Sequence, residues 1–190
     1  VAPYSTDCKM QPVNDVFGHA IGDQLLKTVA ARLRSCLRDI DVAARLSGDE
    51  FAIIQTSIGG PSDAADLATR VRETIREPID LDGHKVVVDI SVGISIAPSD
   101  ATELNELLKT ADIALYEAKN TGRGTYCFYQ SEMNERMQTR SKLELDLQSG
   151  LAKGEFTLFY QPVVDLEDNK MKTCEALLRW NHPERGAVAP

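Results

Sequence analysis

The stretch Asp41-Val-Ala-Ala-Arg-Leu-Ser-Gly-Asp-Glu-Phe-Ala-Ile-Ile-Gln55 constrains the fold most tightly. Two short apolar runs, Val42 to Leu46 and Phe51 to Gln55, flank the loop Ser47-Gly48-Asp49-Glu50. That spacing predicts a β-hairpin with a four-residue turn, Gly48 supplying whatever unusual φ the turn needs. Asp49 and Glu50 are expected at the tip, exposed and adjacent. Neighbouring carboxylates on a rigid tip repel each other unless a cation sits between them. Hard oxygen ligands of this kind suit Mg²⁺, which takes one or two protein carboxylates and completes its shell with water and substrate phosphates. The same pair also fits an ordinary acidic turn.

The rest of the chain alternates helical and extended patterns around that hairpin. Residues 1–13 carry two prolines and no apolar period, and read as irregular. From Gly22, Leu25, Leu26, Val29, Leu33 and Leu37 recur at helical spacing. Pro61-Ser62-Asp63 predicts a second helix start with Ser62 as cap, ended by Pro78. Val86, Val88, Ile90, Val92, Ile94 and Ile96 alternate with other residues, the pattern of a long strand with one buried face. Another helix is expected from Ala101-Thr102-Glu103 to Gly122, then a short strand from Thr125 to Tyr129. These elements predict an α/β or α+β sandwich, helices packed on a central, mostly antiparallel sheet. A long helix follows over roughly 131–153, its first half too polar to be buried, which suits a connection between domains. Two further strands are expected at Phe156–Tyr160 and Met171–Trp180.

Composition bounds the function classes. With 43% hydrophobic and 26% charged residues, the chain reads as globular and cytoplasmic. Its formal net charge of −8 argues against nucleic-acid binding through a general basic surface. No apolar run approaches the ~20 residues of a membrane helix. Cys8, Cys36, Cys127 and Cys174 lack metal-ligand spacing and read as reduced structural thiols.

Ser47-Gly48-Asp49-Glu50-Phe51 resembles the signature loop of the GGDEF family, the bacterial diguanylate cyclases, with Ser47 in place of the first glycine. Three more stretches match in order: Asn14-Asp15-Val-Phe-Gly18-His19-Ala-Ile-Gly22-Asp23, Ser91-Val92-Gly93-Ile94-Ser95 and Ala118-Lys119-Asn-Thr-Gly122-Arg123-Gly124. The resemblance implies a nucleotidyl-cyclase-like fold over residues 1–130 and condensation of two GTP into cyclic di-GMP by a homodimer. Each 3′-hydroxyl attacks the α-phosphate of the other GTP, with Mg²⁺ or Mn²⁺ neutralising phosphate charge. By the same resemblance Asp49 and Glu50 ligate metal, and Glu50 is the candidate base. Asn14 and Asp23 read guanine, an amide and a carboxylate matching its O6/N3 side and its N1–H and amine. Lys119 and Arg123 hold the β- and γ-phosphates. Gly18 and Gly22 bracket a turn whose free backbone N–H groups could face phosphate. Arg38 and Asp41 form the R-x-x-D of an inhibitory site for product, with Arg70 a further contact.

After the connecting helix, residues 154–190 resemble the opening of the EAL domain, a cyclic di-GMP phosphodiesterase of TIM-barrel type. Gln161-Pro162, Glu175-Ala176-Leu177, Arg179 and His182-Pro183 carry the likeness. In a whole domain Glu175 would bind metal and Arg179 phosphate. A TIM-type barrel takes ~250 residues, so the segment holds only an incomplete start. The cyclase pattern also departs from the family in one place. The first metal-binding Asp falls on Thr6, with Asp7 one position off, and the usual Phe and Lys fall on Met10 and Gln11. A one-residue slip in a strand changes its face. Two functions therefore stay open: a cyclase, or a regulatory module that binds GTP or cyclic di-GMP without turnover.

Overall fold

The structure, a computed structural model, describes residues 2–8 and 11–188. In order these form β1 (Ala2–Cys8), α1 (Gln11–Phe17), α2 (His19–Ser35), β2 (Val42–Ser47), β3 (Glu50–Gln55), α3 (Pro61–Arg76), β4 (Ile79–Leu81), β5 (His84–Val86), β6 (Ile90–Ile94), α4 (Leu104–Asn120) and β7 (Tyr126–Phe128). Then come α5 (Ser131–Lys153), β8 (Phe156–Val164), β9 (Met171–His182) and β10 (Gly186–Val188). The chain divides into two compact units, one ending at Glu135 and the other starting at Arg136, so the division falls inside α5.

In the first unit five strands run β2-β3-β1-β6-β7, antiparallel except for the parallel β6–β7 pair. The N-terminal stretch read as irregular is thus the middle strand. Its register sets Thr6 opposite Phe51 and Val92, and Asp7 opposite Glu50 and Ser91. Pro3 is compatible with that place because it pairs only toward β3; the β6 ladder begins at Tyr4. The side chains of Thr6, Asp7 and Gln11, and all of Met10, lie outside the described residues. Tyr4 anchors the strand: it is 1% exposed, and its hydroxyl donates to the Gln55 side chain and to the Ala64 carbonyl.

Helices cover both faces. Ile90, Val92 and Ile94 of β6 join Tyr4, Phe51, Leu25, Val29, Leu67 and Val71 in one core between the sheet and α2 and α3. The alternate residues of β6, and Ser95 just after it, meet α4: Ser95 Oγ lies 2.7 Å from Thr110 Oγ1, and a Cβ on Gly93 would stand 2.0 Å from the Ala111 carbonyl oxygen. All five β6 residues are consequently buried, so the expectation of one buried face is corrected. The long strand is also two, since residues 87–89 break it.

Other boundaries shift for local reasons. A helix precedes the expected one, with Gly18 at φ 81 separating α1 from α2. Gly22 therefore lies within α2, and its N–H bonds to the Gly18 carbonyl at 3.2 Å rather than remaining free. Ser62 is not a cap: Pro61 occupies the first turn of α3, and the Asp63 carboxylate accepts the Gly59 N–H at 2.7 Å. The far end of α3 is closed by Arg32, which donates to the carbonyls of Ile75, Glu77 and Pro78 at 2.6–3.0 Å.

The second unit is a separate, three-stranded antiparallel sheet ordered β10-β9-β8, with Gln161 opposite Glu175. Trp180 stacks on Phe156 at 5.4 Å and donates its indole N–H to Glu155 at 3.0 Å. Buried His182 accepts the backbone N–H groups of Glu184 and Arg185 at Nδ1. Its Nε2 faces Asp146 at 3.4 Å, and Arg185 meets the same carboxylate at 3.1 Å. The ladder is antiparallel throughout, whereas TIM-barrel strands run parallel.

Candidate nucleotide site

The site is built around the β2–β3 hairpin. Its turn is tighter than expected: Gly48 and Asp49 alone form it, Ser47 pairs with Glu50, and a bulge lies between Arg45 and Ser47. Gly48 sits at φ 46, a left-handed conformation that costs a side-chain-bearing residue ~1–2 kcal/mol. Arg45 donates its Nε–H to the Gly48 carbonyl at 2.8 Å and so fixes the orientation of the turn. Because Glu50 begins a strand, the two acids are half-buried rather than fully exposed. Glu50 Oε2 accepts the Ser47 hydroxyl at 3.1 Å.

Asp49 lines a hollow of about 380 Å³ together with Asn14, His19, Gly22, Asp23, Leu26, Arg45 and Gly48. The break at Gly18 lets α1 present Asn14 and α2 present Asp23 to the same space. One hollow thus joins an amide, two carboxylates and a guanidinium, beside an apolar wall from Leu26. Such a set can pair the polar edge of a purine base, because a carboxylate accepts two N–H groups and an amide both donates and accepts. His19 and Arg45 were not singled out from the sequence. Arg45 had a signal, since it stands just before the acidic turn; His19 had none beyond its place after Gly18.

Lys119 and Arg123 are placed elsewhere. They line a cavity of about 570 Å³ with Phe17, Asp89, Ser91 and Gly124, which shares no lining residue with the hollow of Asn14, Asp23 and Asp49. Lys119 lies in the last turn of α4, and Arg123 follows at φ 59, its backbone N–H bonded to the Ala118 carbonyl at 3.2 Å. Arg72 of α3 donates to the Gly124 carbonyl and holds this turn down. Asp89 is an acid missed from sequence, where it counted as the outward side of a continuous strand. It lies in the break between β5 and β6, its Oδ1 accepting the Ile90 N–H at 2.9 Å.

The R-x-x-D pair forms a closed turn. Arg38 N–H donates to Asp41 Oδ2 at 3.1 Å, and the Asp41 N–H returns to the Arg38 carbonyl at 3.0 Å. Asp41 Oδ1 accepts the Thr56 N–H at 3.1 Å, so both carboxylate oxygens already bind backbone. The Arg38 side chain is exposed. Arg70 donates to the Cys36 carbonyl at 2.9 Å and ties α3 to the end of α2. In the second unit Glu175 is exposed, and Arg179 donates to the Leu178 carbonyl at 2.9 Å.

The donor set fits a divalent ion only in part. Among the described residues no group of three or more Asp, Glu, His or Cys side chains converges. Asp49 and Glu50 supply two hard oxygen donors at adjacent positions, which suits an ion that arrives with phosphate oxygens and water rather than an all-protein cage. Among the described residues no helix is long and apolar enough to cross a membrane.

Residues 9–125 match the family model "Diguanylate cyclase, GGDEF domain", and residues 144–190 match that of the EAL domain. The chain is 42% identical over 178 residues to the bifunctional diguanylate cyclase/cyclic di-GMP phosphodiesterase MucR of Pseudomonas aeruginosa, covering 94% of this chain and 26% of MucR. It is 40% identical to the cyclic di-GMP phosphodiesterase NbdA of the same organism, covering 94% of this chain and 23% of NbdA. The chain therefore spans about a quarter of the length of these relatives. Among solved structures, the GGDEF domain of TpbB (YfiN) from P. aeruginosa superposes with a TM-score of 0.70 at 34% identity, covering 72% of this chain and 81% of that one. The active GGEEF domain of a Vibrio cholerae diguanylate cyclase gives 0.61 at 27% identity, covering 68% and 83%. By the family match and the fold together, the chain belongs to the GGDEF family of diguanylate cyclase domains, with a short EAL match following over residues 144–190.

Proposed function

We propose that the first unit binds GTP at the hollow beneath the hairpin and acts as a diguanylate cyclase-type domain in cyclic di-GMP signalling. The observation that carries the reading is the convergence of Asn14, Asp23 and Asp49 on one hollow. Asn14 and Asp23 pair the guanine edge; adenine would leave the carboxylate facing no donor at N1 and is rejected. Asp49 and Glu50 hold Mg²⁺ or Mn²⁺ against the phosphates. The ion, when bound, neutralises phosphate charge and lowers the pKa of the attacking 3′-hydroxyl. Glu50 accepts that proton, and Arg45 keeps the turn that carries both acids in one geometry. Lys119 and Arg123 supply cations for the β- and γ-phosphates. Two chains, each with one GTP, meet as a homodimer so that each nucleotide presents its hydroxyl to the other. GTP supply places the domain in the cytoplasm. Arg38 takes product at a regulatory site, its geometry set by the turn that Asp41 closes.

A second reading is favoured by one feature: Thr6 stands where the family has its first metal-binding Asp. A hydroxyl is a weaker ligand than a carboxylate, so binding survives and turnover is low; the domain then works by holding GTP or cyclic di-GMP. Incubation of purified protein with GTP and Mg²⁺ or Mn²⁺, with chromatographic detection of cyclic di-GMP, separates the two. Turnover abolished by Glu50→Ala supports the cyclase. GTP binding without product supports the binding module; absence of GTP binding excludes the cyclase, and absence of binding to both GTP and cyclic di-GMP excludes the module as well. The EAL segment, with Gln161, Glu175 and Arg179 on two strands, is read as the opening of a phosphodiesterase domain whose activity needs the remaining strands.

A further inference from the structure

The turn between α4 and β7 carries Arg123 in a conformation that its own residue type does not favour. Gly122, Arg123 and Gly124 stand in succession at φ 124, 59 and 55. A side-chain-bearing residue keeps a positive φ only where its surroundings over-determine it. Three backbone contacts do so here. From α4, the Ala118 carbonyl accepts the Arg123 N–H at 3.2 Å. From β6, the Val92 N–H donates to the Thr125 carbonyl at 2.9 Å. The third comes from α3, across the sheet from α4, where Arg72 Nη2 donates to the Gly124 carbonyl. Gly124 also lies so close to Asp89 that a Cβ there would stand 2.9 Å from the carboxylate carbon. The Arg123 side chain is exposed, so this backbone, rather than packing round its stem, sets its direction into the cavity it shares with Lys119. Arg72 is half-buried, and its Nε is buried with no hydrogen-bond partner among the described residues. A buried donor without a partner costs stability, so packing alone does not account for a guanidinium at this place.

We infer that Arg72 is a positioning residue for phosphate binding: by fixing the Gly124 carbonyl it aims Arg123 at the β- and γ-phosphates of GTP. The inference rests on the proposed role of Arg123. Arg72 does not line the cavity, and it acts through the turn without touching the nucleotide.

Calorimetry of the full chain with Mg²⁺ tests it with two ligands. One is 3′-deoxy-GTP, which lacks the attacking hydroxyl and cannot react; the other is GMP, which has the base and ribose but no β- or γ-phosphate. Arg72→Met should weaken 3′-deoxy-GTP about tenfold and leave GMP unchanged, a split that a general loss of structure would not give. Arg72→Lys, which can still donate to the carbonyl, should recover most of the loss. In an Arg123→Met background Arg72→Met should add nothing, whereas a long-range charge effect would add in full. Gly124→Ala keeps every cation, pushes the turn off Asp89 and should show the same split; it decides the matter should Arg72→Met fail to fold. Where Arg123→Met weakens 3′-deoxy-GTP, three results overturn the inference and leave the phosphate reading standing. These are unchanged 3′-deoxy-GTP affinity in Arg72→Met and Gly124→Ala, equal weakening of both ligands, and a loss that persists undiminished in the Arg123→Met background. An Arg123→Met chain that binds 3′-deoxy-GTP as tightly as the native one overturns the role of Arg123 and the inference together.

Discussion

Tyr4 shows how much of the fold hangs on a single polar contact. Its ring is buried, and its hydroxyl is shared between Gln55 on the next strand and the Ala64 carbonyl on α3. Tyr4→Phe leaves the buried Gln55 amide short of a partner and should lower the unfolding free energy by about 1–3 kcal/mol in urea titrations. The same burial, with the nearby Asp41 charge second, pushes the phenol well above its ordinary range. The unfolded tyrosine ionises near ~10 while the native one keeps its proton. Stability from this group is thus full below that pH and falls as pH rises beyond it, a slope that Tyr4→Phe should remove. Gly93 makes a second test. An alanine Cβ there meets the Ala111 carbonyl at 2.0 Å and the Leu115 nitrogen at 2.2 Å, both backbone atoms that cannot rotate away. Gly93→Ala should cost at or above the top of the ~1–3 kcal/mol range for overpacked cores, read by the same titration. Neither role was legible in the sequence. Tyr4 lies among Pro, Ser, Thr and Asp, which carry no strand pattern, and its partners are far along the chain. Gly93 was recognised as part of a motif, but only the helix crossing it explains the missing side chain.

At the scale of elements, periodicity located α2, α3, α4 and α5 because each carries an apolar stripe or clear stops. It missed α1, a helix of seven residues, too short to show a period. It also missed β1, whose place in the middle of the sheet comes from pairing with β3 and β6 rather than from its own residues. The hairpin was read correctly as a hairpin, yet its turn was drawn too long, since a bulge at Arg45 and Ser47 is invisible without the ladder. That tight turn makes a prediction. Gly48→Val places a β-branched residue at φ 46 and should cost more than the ~1–2 kcal/mol of an ordinary side chain there. GTP affinity should fall with it while the fold, followed by circular dichroism, is kept. Strand β7 offers another. Burial first, and the Glu117 charge second, push the Cys127 thiol above its ordinary range. Thiolate is the reactive form, so Cys127 should label more slowly than exposed Cys174 with a disulfide reagent at pH 8, and speed up as pH rises. Mass spectrometry of partial labelling reads the order directly.

For the molecule as a whole, four spaced motifs made the family legible, and the structure gathers two of them, the hairpin and the Asn14–Asp23 stretch, at one hollow. The other two, at Ser91 and at Lys119 and Arg123, line a neighbouring cavity, because α4 crosses the opposite face of the sheet from α2. Sequence spacing alone does not report which face a helix takes. The R-x-x-D is likewise a structural turn in its own right, so Asp41→Ala should destabilise the hairpin base as well as alter product binding. The central claim is that Asp49 and Glu50, at the hairpin turn, gather a divalent ion beside a guanine nucleotide seated at Asn14 and Asp23. Calorimetric titration of GTP with and without Mn²⁺, on the native chain and on Asp49→Asn with Glu50→Gln, tests it most directly. The account predicts that Mn²⁺ tightens GTP binding about tenfold or more in the native chain and has no effect in the double variant. Equal enhancement by Mn²⁺ in both proteins would contradict it.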